Sequence, residues 1–210
     1  MTSLALACIE ASIAAYLRKH WSAGGAEALA VTLPENIYGI AFRGTADVHD
    51  VIFDVRALPV RHPILGLVHR GFASGVDAIW PKIVPTIPDK NMPLAFTGHS
   101  KGGAEATLAA ALAVSEGRLV KYLITFGSPR VVASSKVEGI LARGGVNMLR
   151  YVNRGDPVPS VPPWILGFRH IGVKIEIGEA WDIQPDHPAF EYRDALKCEP
   201  QFSSNFEEIR

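Results

Sequence analysis

The chain has 210 residues, 48% of them apolar and 20% charged, a balance that supports one buried core of ordinary size and excludes a disordered chain. Its 21 basic and 21 acidic residues cancel, and the densest basic cluster is only Arg18, Lys19 and His20, so neither a nucleic-acid footprint nor a polybasic membrane anchor is present. Two cysteines, Cys8 and Cys198, are too few for a disulfide framework and wrongly spaced for a zinc site, so two free thiols are expected.

The opening stretch MTSLALACIEASIAAYL lacks a basic leader and carries Glu10 inside its apolar run. It also falls short of the ~20 apolar residues that span a bilayer. It reads as an amphipathic helix of the fold, with no recognisable signal peptide and no transmembrane segment, which makes a cytoplasmic location the default expectation and leaves secretion by another route open. Two β-rich runs follow, AVTL (30–33) and IYGIAF (37–42), separated by the turn residues Pro34, Glu35 and Asn36. They predict a hairpin that feeds a central strand.

Between residues 71 and 87, Phe72, Val76, Ile79, Trp80 and Ile83 recur at threes and fours, which predicts a helix that Pro81 kinks or restarts. PLAFTG (93–98) is the next strand, and the alanine-rich run 100–115 is a strong helix former with Ala104, Leu108, Ala111 and Leu112 on one face. KYLITF (121–126) suits a strand buried on both faces. A helix around 133–142, a strand at 147–153 and a strand within IGVKIEIG complete the alternation. This order predicts a single α/β domain over 1–210, with a mostly parallel central sheet flanked by helices.

Gly98, Ser100 and Gly102 form G-x-S-x-G between a buried strand and a long helix, the context in which such a turn presents a nucleophile. A strand that reverses into a helix so abruptly strains its apex residue and leaves room only for hydrogen side chains two positions away. A serine nucleophile needs a base, and the base needs an orienting acid, in the chain order Ser, Asp, His. Asp156 lies on the proline-rich loop NRGDPVPSVPPWILGF (153–168) that leaves the 147–153 strand. Two histidines follow it, His170 in GFRHIG and His187 in QPDHPAFEY, and order and loop placement alone admit either as the base.

AFRGT (41–45), VHRGF (68–72), GHSKGG (98–103), TFGSPRV (125–131), NRGDPVPSVPP (153–163), GFRHIG (167–172) and DHPAFEY (186–192) occur in the order found in the class 3 lipases. Over residues 29 to 192 the chain resembles that family, α/β-hydrolases related to the filamentous-fungal triacylglycerol lipases. The resemblance implies Ser100 as nucleophile, Asp156 as acid and His187 as base, with His170 matching a non-catalytic histidine. It also implies an oxyanion hole from the backbone N–H groups of Thr45 and Lys101, the Thr45 hydroxyl serving as a further donor. His69 and His99 match structural positions of the motifs.

The segment 47–55 places Val48, Val51, Ile52 and Val55 on one helical face, a pattern that suits equally a helix docked on the core and the mobile lid that the resemblance implies at this position. Lys101 departs from the apolar residue of the better-known lipases, and an i to i+4 pair with Glu105 offers its side chain about 0.2–0.5 kcal/mol. The expected activity is hydrolysis of lipid or acylglycerol esters at a lipid–water interface, with no metal and no cofactor, since no H-E-x-x-H, phosphate loop or dinucleotide fingerprint occurs. A phospholipase A1, a short-chain carboxylesterase and a catalytically silent hydrolase-like binding protein are the alternatives, and the sequence sets no oligomeric state.

Overall fold

The computed structural model describes residues 2–45, 58–178 and 187–198. The helical segment expected at 47–55, as a lid or a docked helix, lies outside the described residues. Five helices and nine strands carry the fold among the described residues. In chain order they are α1 Thr2–Leu17, β1 Trp21–Ala23, β2 Ala26–Leu33, β3 Ile37–Phe42, β4 Pro59–His62, β5 Gly66–His69 and α2 Arg70–Ile83. Then follow β6 Leu94–His99, α3 Lys101–Ser115, β7 Val120–Phe126, α4 Lys136–Arg143, β8 Asn147–Asn153, β9 Val173–Ile177 and α5 Ala189–Cys198.

Seven strands form one sheet in the order β1-β2-β3-β6-β7-β8-β9, antiparallel up to β3 and parallel beyond it. Leu94, Ala95, Phe96 and Thr97 of β6 are all buried, as is the second half of β7. Strands covered on both faces read as continuous apolar runs, and that is what the sequence shows. One face packs on α1 and α5 through Leu4, Cys8, Ile9, Phe126, Tyr151 and Tyr192. The opposite face packs on α2, α3 and α4 through Val76, Ile79, Phe96, Leu108, Leu112 and Leu141.

The parallel register determines where the site sits. Phe42 pairs with Gly98, His99 with Phe126, and Phe126 with Tyr151. The ends of β3, β6, β7 and β8 therefore lie side by side, and the residues that follow them meet along one carboxyl edge, where open α/β sheets place their sites. Thr45, Ser100 and Asp156 all leave from this edge.

Several elements differ from the sequence reading. β2 begins at Ala26 rather than residue 30, and a short edge strand, β1, pairs with it. The hairpin of β4 and β5, with Val60 opposite Val68, carried no sequence expectation. α4 starts at Lys136, three residues later than expected. α2 runs through Pro81 without restarting, because the proline falls in the last turn and removes one hydrogen bond there. Cys8 is buried in α1 and Cys198 is exposed at the end of α5, and both are free thiols.

Candidate active site

β6 ends at His99 and α3 begins at Lys101, so the whole reversal happens at Ser100, whose φ of 57° and ψ of −130° place it in a sparsely populated region. A Cβ at Gly98 would collide with the backbone of Gly102, and a Cβ at Gly102 with the carbonyl of Phe42. These two positions admit only glycine because β3, β6 and α3 approach backbone to backbone. The Ser100 N–H donates to Phe126 O at 2.9 Å, which ties the apex to β7. The Ser100 side chain is fully buried, and its Oγ has no hydrogen-bond partner among the described residues.

Asp156 sits just past β8, where its N–H donates to Asn153 O at 3.1 Å. Its Oδ1 accepts from the Val158 N–H at 2.8 Å. Its Oδ2 accepts from Tyr192 OH at 2.5 Å and from His187 Nδ1 at 2.8 Å. With the Nδ1 proton directed at the carboxylate, Nε2 of the neutral ring is an acceptor. Nε2 is buried and has no partner among the described residues.

A second chain of contacts fixes the position of the same imidazole. His99 Nε2–H donates to the His187 carbonyl at 2.5 Å, and the two rings lie 4.6 Å apart between centroids. His99 Nδ1 then accepts from Tyr16 OH on α1 at 2.9 Å. Burial, and secondarily the adjoining His187, push the His99 imidazole down to about 3, so it stays neutral and keeps this donor–acceptor polarity. His187 is thereby held against the residue that immediately precedes Ser100.

The structure brings His187, not His170, to Asp156. His170 Nε2–H donates to Pro159 O at 2.8 Å and braces the proline-rich loop. Burial, with Arg150 next in effect, lowers its imidazole to about 4.

Thr45 follows β3 and shares with Lys101, Gly44, Arg43, Glu27 and Gly25 the walls of a cavity of about 240 Å³. Lys101 opens α3, so its backbone N–H has no intrahelical acceptor and stands at the positive end of the helix dipole. Its side chain turns away from that end. Nζ donates to Gly25 O at 2.5 Å and lies 3.1 Å from Glu105 Oε1.

This pair differs from the surface pair expected from spacing. Glu105 is fully buried, and burial pushes its carboxyl up to about 7 against the lowering influence of Lys101. The 3.1 Å approach is a charge contact, and neither carboxylate oxygen accepts a well-aligned hydrogen bond among the described residues.

Ser100, Asp156, His187, Thr45 and Lys101 are expected from the sequence, whereas Tyr192, Tyr16 and the linking role of His99 are not. Tyr192 closes the DHPAFEY motif, but nothing in that motif signals that the hydroxyl reaches Asp156.

The profile of the family described as Lipase (class 3) matches residues 39–166, more than half of the chain. The chain belongs to the class 3 lipase family. The lipase of Rhizomucor miehei is 34% identical over 146 residues, covering 63% of this chain and 39% of that protein. The secreted mono- and diacylglycerol lipase A of Penicillium camembertii is 28% identical over 155 residues, covering 70% of this chain and 48% of that one. The matched segment spans less than half the length of both relatives.

Among solved structures, the native Rhizomucor miehei lipase propeptide complex superposes with a TM-score of 0.69 at 25% identity, covering 84% of this chain and 67% of that one. A triacylglycerol lipase described as having a serine protease triad as its catalytic centre superposes with a TM-score of 0.65 at 25% identity, covering 85% and 78%. The class 3 lipase fold, an α/β fold with a mostly parallel sheet flanked by helices, is therefore the fold of this chain.

Proposed function

We propose that this class 3 lipase is a serine carboxylic-ester hydrolase that acts on acylglycerol or related lipid esters. Ser100 Oγ attacks the ester carbonyl carbon and passes its proton to His187 Nε2, while Asp156 holds the ring through Nδ1 and stabilises the imidazolium that forms. The carbonyl oxygen becomes an oxyanion, which accepts hydrogen bonds from the backbone N–H groups of Thr45 and Lys101, with the Thr45 hydroxyl as a further donor. Collapse of this intermediate breaks the ester C–O bond, and His187 protonates the leaving alcohol. Water, deprotonated by His187, then releases the acid from the acyl-enzyme.

The observation that carries this reading is the 2.8 Å contact between His187 Nδ1 and Asp156 Oδ2, with Nε2 and Ser100 Oγ both left without a hydrogen-bond partner among the described residues. A buried hydroxyl and a buried ring nitrogen left unbonded are costly unless a substrate is to meet them. The lipid-ester class draws support from the relatives, whose names include mono- and diacylglycerol lipases.

The test is ester hydrolysis by the parent, Ser100→Ala, His187→Ala and His170→Ala, with organophosphonate labelling of the parent. Loss of about 10⁴-fold or more is expected for the first two, and near-parent turnover for the third. Folded parent that takes no label at Ser100 is a binding protein, not an enzyme. A series of triglycerides, phospholipids and nitrophenyl esters ranks the acylglycerol reading against the phospholipase A1 and short-chain esterase readings.

A further inference from the structure

The proline-rich loop carries apolar surface that the chemistry above does not use. Trp164, Ile165 and Leu166 are consecutive, and they are 74%, 76% and 44% exposed. Single exposed apolar residues are normal, but three in one turn make a contiguous patch. The turn is held firmly. Gly167 N–H donates to Trp164 O at 2.8 Å, Leu166 N–H donates to Pro163 O at 3.1 Å, and Phe168, the next residue but one, is buried. Arg130, beyond the end of β7, clamps the base of the turn: its backbone N–H donates to Val161 O at 2.7 Å, and its Nη1 donates to Ser160 O and, at 2.9 Å, to Pro162 O. A patch on such a support loses little conformational freedom on contact.

The charges at its base indicate what covers it. Arg150 on β8 lies close enough to Arg130 that the second guanidinium, after burial, helps hold the first below its usual range. Neither arginine has a carboxylate partner among the described residues. The neighbouring cations do: Arg169 pairs with Glu138 at 3.0 Å, and Lys174 pairs with Glu176. An apolar tip that includes a tryptophan, clamped at its base by Arg130, with neither Arg130 nor Arg150 paired to a carboxylate among the described residues, is complementary to a lipid surface with anionic headgroups. A second copy seated on the same patch would set arginines against arginines, which opposes self-association.

We propose that the Trp164–Leu166 turn is an interfacial anchor that inserts into an anionic lipid surface, with Arg130 at headgroup level and Arg150 adding to the local positive potential. The anchor leaves the same sheet edge as Ser100 and Asp156, so it sets the site near the lipid. It rests on the lipid-ester reading for its purpose but not for its binding, and binding is measured without turnover.

The full chain carrying Ser100→Ala is sedimented with phosphatidylcholine vesicles, with and without phosphatidylserine. Binding is expected to be tighter with phosphatidylserine and to weaken on added salt. Trp164→Ser with Ile165→Ser, both at exposed positions, should weaken binding at least about tenfold. Arg150→Gln should cost roughly fivefold on phosphatidylserine vesicles only. Parent-like binding by the serine pair overturns the proposal. So does self-association of the parent that the same pair abolishes, since the patch would then belong to a second copy.

With Ser100 intact, the serine pair should cleave a soluble short-chain ester at the parent rate, and loss of that rate would place the patch in the substrate site and overturn the anchor. A parent that binds vesicles but cleaves no ester would sink the hydrolase reading and leave the anchor standing.

Discussion

Asp156 accepts hydrogen bonds from Val158 N–H, Tyr192 OH and His187 Nδ1, whereas Ser100, on the other side of the same site, makes none through its hydroxyl among the described residues. The proposed acid–base half is saturated: the ring of His187 is fixed at Nδ1 by Asp156, and its backbone carbonyl by His99, which Tyr16 holds in turn. The proposed nucleophile half is strained at Ser100 and leaves both oxygens of the buried Glu105 without aligned donors among the described residues. The difference is a division of roles. In the proposed mechanism His187, which must hold one orientation, is left open only at Nε2, where it would react, and Ser100 Oγ is left open for the substrate carbon.

Removing the saturation should have the largest effect. Asp156→Asn keeps the shape of the side chain but replaces the carboxylate that accepts the Nδ1–H hydrogen bond, so the ring loses its tautomer preference. A fall of about 10⁴-fold in kcat is expected, with KM changed far less. A loss under about tenfold would mean that His187 is oriented by His99 and its own backbone rather than by the acid.

The open half should respond through stability and pH. Burial raises the Glu105 carboxyl from 4.5 to about 7. Between those values the folded chain holds a proton that the unfolded chain has released. The contribution of this residue to stability is therefore full below pH 4.5 and is lost as pH rises through 7. A shift of this size corresponds to roughly 3 kcal/mol. Glu105→Gln removes the titration, so urea unfolding should show the variant gaining on the parent by up to about 3 kcal/mol between about pH 5 and pH 8. A difference independent of pH would mean that Lys101 keeps the carboxylate ionised throughout.

What the sequence disclosed follows from the range of each constraint. The elbow was legible because strand, glycines, serine and helix lie within one short window, and the parallel sheet because doubly covered strands leave unbroken apolar runs such as KYLITF. The β4–β5 hairpin was not legible, since strands of four residues with Pro59, Arg61 and His62 among them show no clear alternation. The base stayed undecided between His170 and His187 on order alone, and resemblance favoured His187. The contact with Asp156 spans 31 positions, and the Tyr16–His99 link 83, and pairings that distant leave no local pattern. Glu105 misled because the i to i+4 rule describes a solvated helix face, and α3 is buried on every side from Gly102 to Ala113.

The smallest effect should come from Tyr192→Phe, and it separates saturation as mere stability from saturation as orientation. The substitution keeps the ring packed near Phe126 and His99 and removes the hydroxyl, which donates to Asp156 at 2.5 Å and accepts from the Asn153 N–H at 3.1 Å. Asp156 retains its bonds from Val158 and His187, so the carboxylate stays in place with one donor fewer. A buried hydrogen bond to a charged group is worth about 1.5–3 kcal/mol, and that loss should appear in the unfolding free energy. If the hydroxyl also steers the Oδ2 lone pair toward Nδ1, kcat should fall about tenfold with KM unchanged. If kcat holds while stability drops, the Tyr192 hydroxyl serves the fold through Asp156 and the Asn153 N–H, and the orientation of His187 rests on Asp156 and His99 alone.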